Sequence, residues 1–214
     1  MTQPSIQAGF TQVGDSLVRE LGKYLTDPSM ISLAGGYPGS DLFDVPGLSA
    51  SMDKALSQHS IASLQYGPSD GLPMLRASIA QWMQQLGTPC EPDELMITGG
   101  SQQGFDLCTR LLMAPGDLAW VERPTYTGPL RRLRLAQARV EGMPVDAQGL
   151  VVEALAERLK DPKAQRPKLL YVVPTFANPS GATLSLERRL RVLELAVKYK
   201  TVVVEDDPYG DLYF

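Results

Sequence analysis

From Glu94 onward the chain alternates between short apolar runs and amphipathic stretches, and nothing else in its 214 residues restricts the fold as strongly. Strand-length apolar runs stand at Leu95–Thr98, Leu118–Glu122, Arg139–Pro144, Lys168–Val173 and Thr201–Glu205. Helical spacing fills the intervals at Ser101–Met113, Tyr126–Ala136, Leu150–Lys160 and Leu186–Lys200. Strands that are apolar on both faces, linked by helices, require a mostly parallel sheet with helices on both sides. An α/β architecture follows. Ligands of such sheets bind beyond the carboxyl ends of the strands, so the residues just after each strand carry the functional information.

The texture before Glu94 is different. Asp15–Asp27 has helical spacing behind an Asp able to cap it. The stretch ISLAGGYPG, starting at Ile31, reads as a short strand broken by paired glycines. Two further helices are expected at Gly47–His59 and Leu72–Leu86, the second with Leu72, Leu75, Ile79, Trp82 and Met83 on one face. The length fits one ordinary domain, or one domain with a small appendage. A hydrophobic content of 43% suffices for a sizeable core.

A net charge of −4 leaves no electrostatic footprint for nucleic acid. The densest basic stretch, LRRLRLAQAR from Leu130 to Arg139, reads as the solvated face of a helix, because leucines fall between the arginines. No apolar run approaches the roughly 20 residues needed to span a bilayer, so no membrane partner is expected. The N-terminus MTQPSIQAGF lacks a basic head followed by an apolar stretch, so no signal peptide is visible. Cys90 and Cys108 have neither metal nor redox spacing and read as two unrelated free thiols, which suits a cytoplasmic protein. His59 is the single histidine, which argues against a Ser-His-Asp hydrolase and against a histidine metal site. No metal is expected.

The strand ends carry polar signals in a particular order. After the first strand, Thr98, Gly99 and Gly100 allow a tight turn, and Ser101 could cap the next helix. Such a helix start suits a phosphate or carboxylate, though Gly and Ser also serve ordinary turns. After the second strand, ERPTYTG presents Tyr126, either to cover a planar ligand or to fill core. After the fourth, VPTFANPSG turns tightly at Asn178-Pro179, where a cis bond would be in place, with Gly181 following. Asn178 either aims its amide at the crevice or bonds its own backbone. After the fifth, VVVEDDPYGDLYF delivers Asp206 and Asp207 to the end of a buried strand, with Tyr209 three positions after the first. A carboxylate there needs a partner, and a cationic heterocyclic nitrogen would serve. The alternative is a helix cap begun by Pro208. In sequence order, these signals form a grip for the phosphate, ring face, phenolic oxygen and ring nitrogen of pyridoxal phosphate.

The motifs DSLVREL, ISLAGGYP, LQYGPSDG, ITGGSQQGFDL, ERPTYTG, VPTFANPSG and VVVEDDPYGDLYF span Asp15 to Phe214. Together they resemble the fold-type I, class I/II aminotransferases, in particular the branch of 2-aminoadipate, kynurenine and aromatic amino acid aminotransferases. The resemblance implies the PLP-dependent transferase fold, with a mostly parallel sheet flanked by helices. Residues 1–46 would form an N-terminal arm and a small-domain segment, and residues 47–214 an incomplete large domain. It further implies that the backbone of Ser101 and Gln102 holds the cofactor phosphate. Tyr126 would stack on the ring, Asn178 and Tyr209 would bond its phenolic oxygen, and Asp206 would pair with its nitrogen. Tyr66 would reach the phosphate of a second subunit in a homodimer. Gly36 would approach the substrate carboxylate, and Arg19 would read an acidic side chain. The expected substrates are an amino acid and a 2-oxo acid.

The resemblance also implies what to miss. Family members continue for about as many residues again, with a Schiff-base lysine in an S-x-S-K segment and arginines for the phosphate and the α-carboxylate. None of Lys23, Lys54, Lys160, Lys163, Lys168, Lys198 and Lys200 stands in such a segment, so no catalytic residue is assigned. The chain reads as a fragment, inactive alone, whose sheet would have a central gap between the first strand and the fourth. A PLP-binding domain of a transcription regulator, or a PLP-dependent lyase on the same scaffold, are the alternative readings.

Overall fold

The computed structural model describes residues 29–31, 36 and 38–212. These fall into two compact units that divide between Thr98 and Gly99. The expected helix at Asp15–Asp27, Arg19 within it, and most of ISLAGGYPG lie outside the described residues.

In the first unit, helix α1 spans Val45–Gln58, α2 Ser60–Leu64 and α3 Pro73–Gln85. Helix α1 starts two residues before the expected point because Asp44 caps it, its carboxylate accepting from the Gly47 N–H at 3.0 Å. Arg76 anchors α3: its guanidinium is nearly buried and reaches the Asp70 carboxylate and the Pro92 carbonyl, each at 3.0 Å. The apolar face expected on this helix is only partly covered. Ile79 and Met83 are partly buried, but Leu72, Leu75 and Trp82 are exposed. Leu95–Thr98, expected as the first strand, is extended at Leu95 but belongs to no sheet. Its Ile97 N–H donates to the Asp70 carbonyl at 2.9 Å, a loop contact instead of a ladder. An apolar run becomes a strand only where a second backbone offers its donors and acceptors.

The second unit is the expected α/β sandwich. In chain order it contains α4 (Ser101–Leu112), β1 (Leu118–Arg123), α5 (Thr127–Leu135), β2 (Arg139–Asp146), β3 (Gly149–Leu150), α6 (Val152–Lys160), β4 (Leu169–Val172), α7 (Leu186–Tyr199) and β5 (Val202–Glu205). The sheet order is β3-β2-β1-β4-β5. β1 runs parallel to both β2 and β4, and β4 parallel to β5. Only the two-residue β3, which the sequence pattern did not show, is antiparallel. Side chains alternate between two cores. Leu118, Trp120, Leu170 and Val172 face α6 and α7, packing with Leu155, Leu159, Val192 and Leu195. Ala119, Val121, Leu169 and Tyr171 face α4 and α5, packing with Phe105 and Leu133. The period of two explains why both faces of these strands must be apolar.

The first expected strand, Leu95–Thr98, pairs with none of these strands. The fourth expected strand is β4, and it is hydrogen-bonded on both sides, to β1 and to β5. β5 forms one edge of the sheet, and its residues are exposed or only partly buried while those of β4 are all buried. The Lys160–Lys168 loop is solvated as expected except at its end, where Pro167 is buried and the Arg166 guanidinium lies 4.9 Å from the Tyr199 ring centre.

Candidate functional site

Because β1, β4 and β5 are parallel neighbours, the loops that follow them are brought side by side at one edge of the sheet. These loops carry Tyr126, Asn178, and Asp206 with Tyr209.

Gly100 precedes α4 with φ 104°, a conformation open to glycine and strained for other residues. Ser101 is therefore the first helical residue and not the cap, correcting the expected capping role. The Ser101 and Gln102 N–H groups belong to the first turn of α4, where a helix supplies no carbonyl partners. The Gln103 side chain folds back to accept from the Gly99 N–H, closing the turn. One position earlier, the Gln102 amide donates to the Tyr126 hydroxyl at 3.4 Å, linking the helix start to the loop after β1. Gly128 permits this approach: a Cβ there would lie 2.3 Å from Gln102 Nε2 and 2.6 Å from Tyr126 Cε1.

After β4 the chain turns through Phe176, at φ 47°, and a cis Asn178-Pro179 bond. Asn178 is exposed. The loop is closed by the Ala177 N–H donating to the Ala182 carbonyl at 2.9 Å and the Leu184 N–H donating to the Pro174 carbonyl at 2.8 Å. Arg189 of α7 fastens it from below, donating to the Leu184 and Pro174 carbonyls at 3.0 and 3.1 Å and to Thr175 Oγ1 at 2.9 Å.

After β5, Asp206 is partly buried, and its N–H continues the ladder to the Val172 carbonyl at 3.0 Å. Asp206 Oδ2 accepts from the Tyr171 hydroxyl at 2.7 Å. Tyr171 is 1% exposed and meets the Phe105 ring edge-on at 5.3 Å between centres. Burial, then the Asp206 carboxylate, pushes the Tyr171 phenol far above its usual range, so it remains a donor at any working pH. Tyr209 packs against the same cluster. The exposed Asp207 carboxylate instead lies over Gly210, in the turn. At the end of β1 a second acid, Glu122, is almost fully buried and accepts from the Val173 N–H at 3.0 Å. Burial pushes its carboxyl up.

The structure thus links Gln102 to Tyr126, and Asp206 to Tyr171, and packs Tyr209 against the core cluster that contains Tyr171. Gly36 and Tyr66 belong to the other unit, where both are exposed. Tyr171, Glu122 and Arg189 were missed in the sequence. Tyr171 had left a signal: a lone phenol inside the continuous apolar run LLYVV must find a partner for its hydroxyl.

The family model for aminotransferase class I and II matches residues 34–214. The chain belongs to this family. It is 38% identical over 202 residues to aromatic-amino-acid aminotransferase 1 of Thermococcus litoralis, covering 93% of this chain and 48% of that protein. It is 35% identical over 206 residues to the 2-aminoadipate transaminase of Thermus thermophilus, covering 96% and 50%. The crystal structure of Pyrococcus horikoshii kynurenine aminotransferase in complex with PMP superposes with a TM-score of 0.87 at 35% identity, over 95% of this chain and 51% of that one. The chain spans about half the length of the curated relatives it matches.

Pyridoxal phosphate is the cofactor of class I and II aminotransferases, and the site's residues fit it. The glycine-led start of α4 suits a phosphate. Gly128 leaves room for Tyr126 to settle against Gln102. Asp206 has one oxygen engaged by Tyr171, which leaves the other for a cationic ring nitrogen. Among the described residues no lysine stands with these groups. Lys160, Lys163, Lys168, Lys198 and Lys200 of this unit all lie in segments leading into β4 or β5, at the opposite edge of the sheet from the strand-end loops.

Proposed function

We propose that this chain carries the cofactor-holding face of an aminotransferase that moves an amino group from an amino acid to a 2-oxo acid. The observation that carries the reading is the oriented carboxylate at the end of β5: Asp206, partly buried, with one oxygen engaged at 2.7 Å. In this reading the Ser101 and Gln102 amides hold the phosphate and Tyr126 covers the ring. Asn178 and Tyr209 bond the phenolic oxygen, and Asp206 keeps the ring nitrogen protonated. When bound, the cofactor supplies a sink for electrons released at the amino acid Cα. The chain's own residues orient that ring, exclude water from its buried side and hold the proton on its nitrogen. The group that removes the Cα proton is not among the described residues of the site.

Residues 1–46 would serve as arm and small-domain segment, and residues 47–214 as the large domain. Arg19 and Gly36 would face the substrate. Tyr66 would reach a second subunit of a homodimer, a role supported by its full exposure. The free thiols of Cys90 and Cys108 suit a cytoplasmic setting.

Titration of the chain with pyridoxal phosphate, followed by absorbance, tests the reading. Asp206→Asn is expected to weaken binding at least tenfold, about the worth of one charge-assisted hydrogen bond. Equal affinity in wild type and variant rejects it. With the complete protein, turnover that requires a 2-oxo acid acceptor is expected. Elimination without an acceptor would assign a lyase instead.

A further inference from the structure

We propose that Tyr171 is a positioning residue for the cofactor's ring nitrogen, acting through Asp206. The inference rests on the cofactor reading above and adds a residue that reading does not contain. Asp206 has two oxygens and free rotation about its last torsion, so a carboxylate at a strand end does not by itself present a particular lone pair. The Tyr171 hydroxyl takes Oδ2 at 2.7 Å, which leaves Oδ1 as the oxygen with unused lone pairs. The phenol cannot follow the carboxylate if it turns. It is 1% exposed, it sits in the interior strand β4, and its ring is held edge-on by Phe105. Phe105 lies one turn into α4, the helix whose first residues would hold the phosphate. The phosphate end and the nitrogen end of the ligand would therefore be referenced to one buried aromatic pair. The high cost of ionising the Tyr171 phenol keeps it a donor throughout the working pH range.

The chemistry gives a selective test. Tyr171 should matter only for a ligand whose ring nitrogen can carry a proton. Equilibrium dialysis of the full chain would compare pyridoxamine phosphate, whose amine forms no covalent link to surface lysines, with its 1-deaza analogue, which has C–H in place of the nitrogen. Wild type is expected to prefer the nitrogen-bearing compound, and Tyr171→Phe to lose roughly five- to twentyfold of that preference, the order of one hydrogen bond to a charged group. The deaza analogue should bind both proteins alike. Leu133→Val loosens the same core cluster without touching the hydroxyl or the Phe105 ring and should keep the preference. A Y171F protein that weakens both compounds equally, or retains the full preference, overturns the role of Tyr171 and leaves the cofactor reading standing. If Y171F does not fold, a loss of preference in Leu133→Val as large as that in Asp206→Asn overturns the proposal, because core packing and not the hydroxyl would then set the carboxylate. A wild-type chain that binds neither compound overturns both readings.

Discussion

Asp206 and Glu122 are both acids at the ends of buried strands, yet their surroundings give them opposite tasks. Asp206 meets a phenol and keeps an oxygen for a ligand, whereas Glu122 is almost fully buried and bonds only the Val173 N–H. Burial raises the Glu122 carboxyl above its unfolded value of 4.5. Its contribution to stability is therefore complete below that pH and is lost as pH rises through the folded-state value. Glu122→Gln keeps an acceptor for Val173 and removes the titration. Denaturant midpoints of E122Q are expected to fall less than those of wild type as pH climbs from 4.5, with the variant gaining on wild type at neutral pH. Gly128 makes a second residue-scale prediction. A Cβ at that position would collide with both Gln102 and Tyr126. Gly128→Ala should cost about 1–3 kcal/mol in urea unfolding, as overpacking does, and weaken cofactor binding further by displacing the tyrosine.

Two neighbouring arginines of α7 hold two different elements. Arg188 reaches the Asp146 carboxylate at 2.7 and 2.8 Å and the Leu150 carbonyl at 3.2 Å, pinning the β2–β3 hairpin. The Arg188 guanidinium holds the Asp146 carboxyl down at about 2. That contribution is present above the unfolded value of 3.8 and is lost as pH falls through about 2. The stability difference between wild type and Arg188→Ala should be constant above pH 4 and shrink below it, measured by denaturant midpoints at each pH. Arg189 instead fastens the loop that carries Asn178. Arg189→Ala is expected to speed hydrogen exchange at the Ala177 and Leu184 amides roughly tenfold or more, with β1 and β4 amides unchanged. The helices and all but one of the strands of this unit were legible in the sequence, because each is encoded by its own periodicity. The two-residue β3 was not, since a pair that short has no period to read.

The whole molecule presents unfinished surface. β5 ends the sheet with Val202 43% exposed, and the leucines of α7 at 190 and 193 are each 53% exposed. Such an edge pairs readily with another. The 214-residue chain is expected to self-associate with rising concentration in sedimentation velocity. Val202→Lys, which places a charge on that edge, should reduce the association clearly without changing the far-UV circular dichroism. Sequence alone determined the α/β class, the covered parallel strands, the family and the residue types at the strand ends, because these follow from local periodicity and short motifs. Tertiary structure decided the rest. It left Leu95–Thr98 without a sheet partner, ended the sheet at β5, turned Ser101 from cap into first helical residue, and joined Tyr171 to Asp206 across 35 residues of chain. Those outcomes depend on which backbone or side chain arrives alongside, and a hydrogen bond is set by that neighbour as much as by the residue itself.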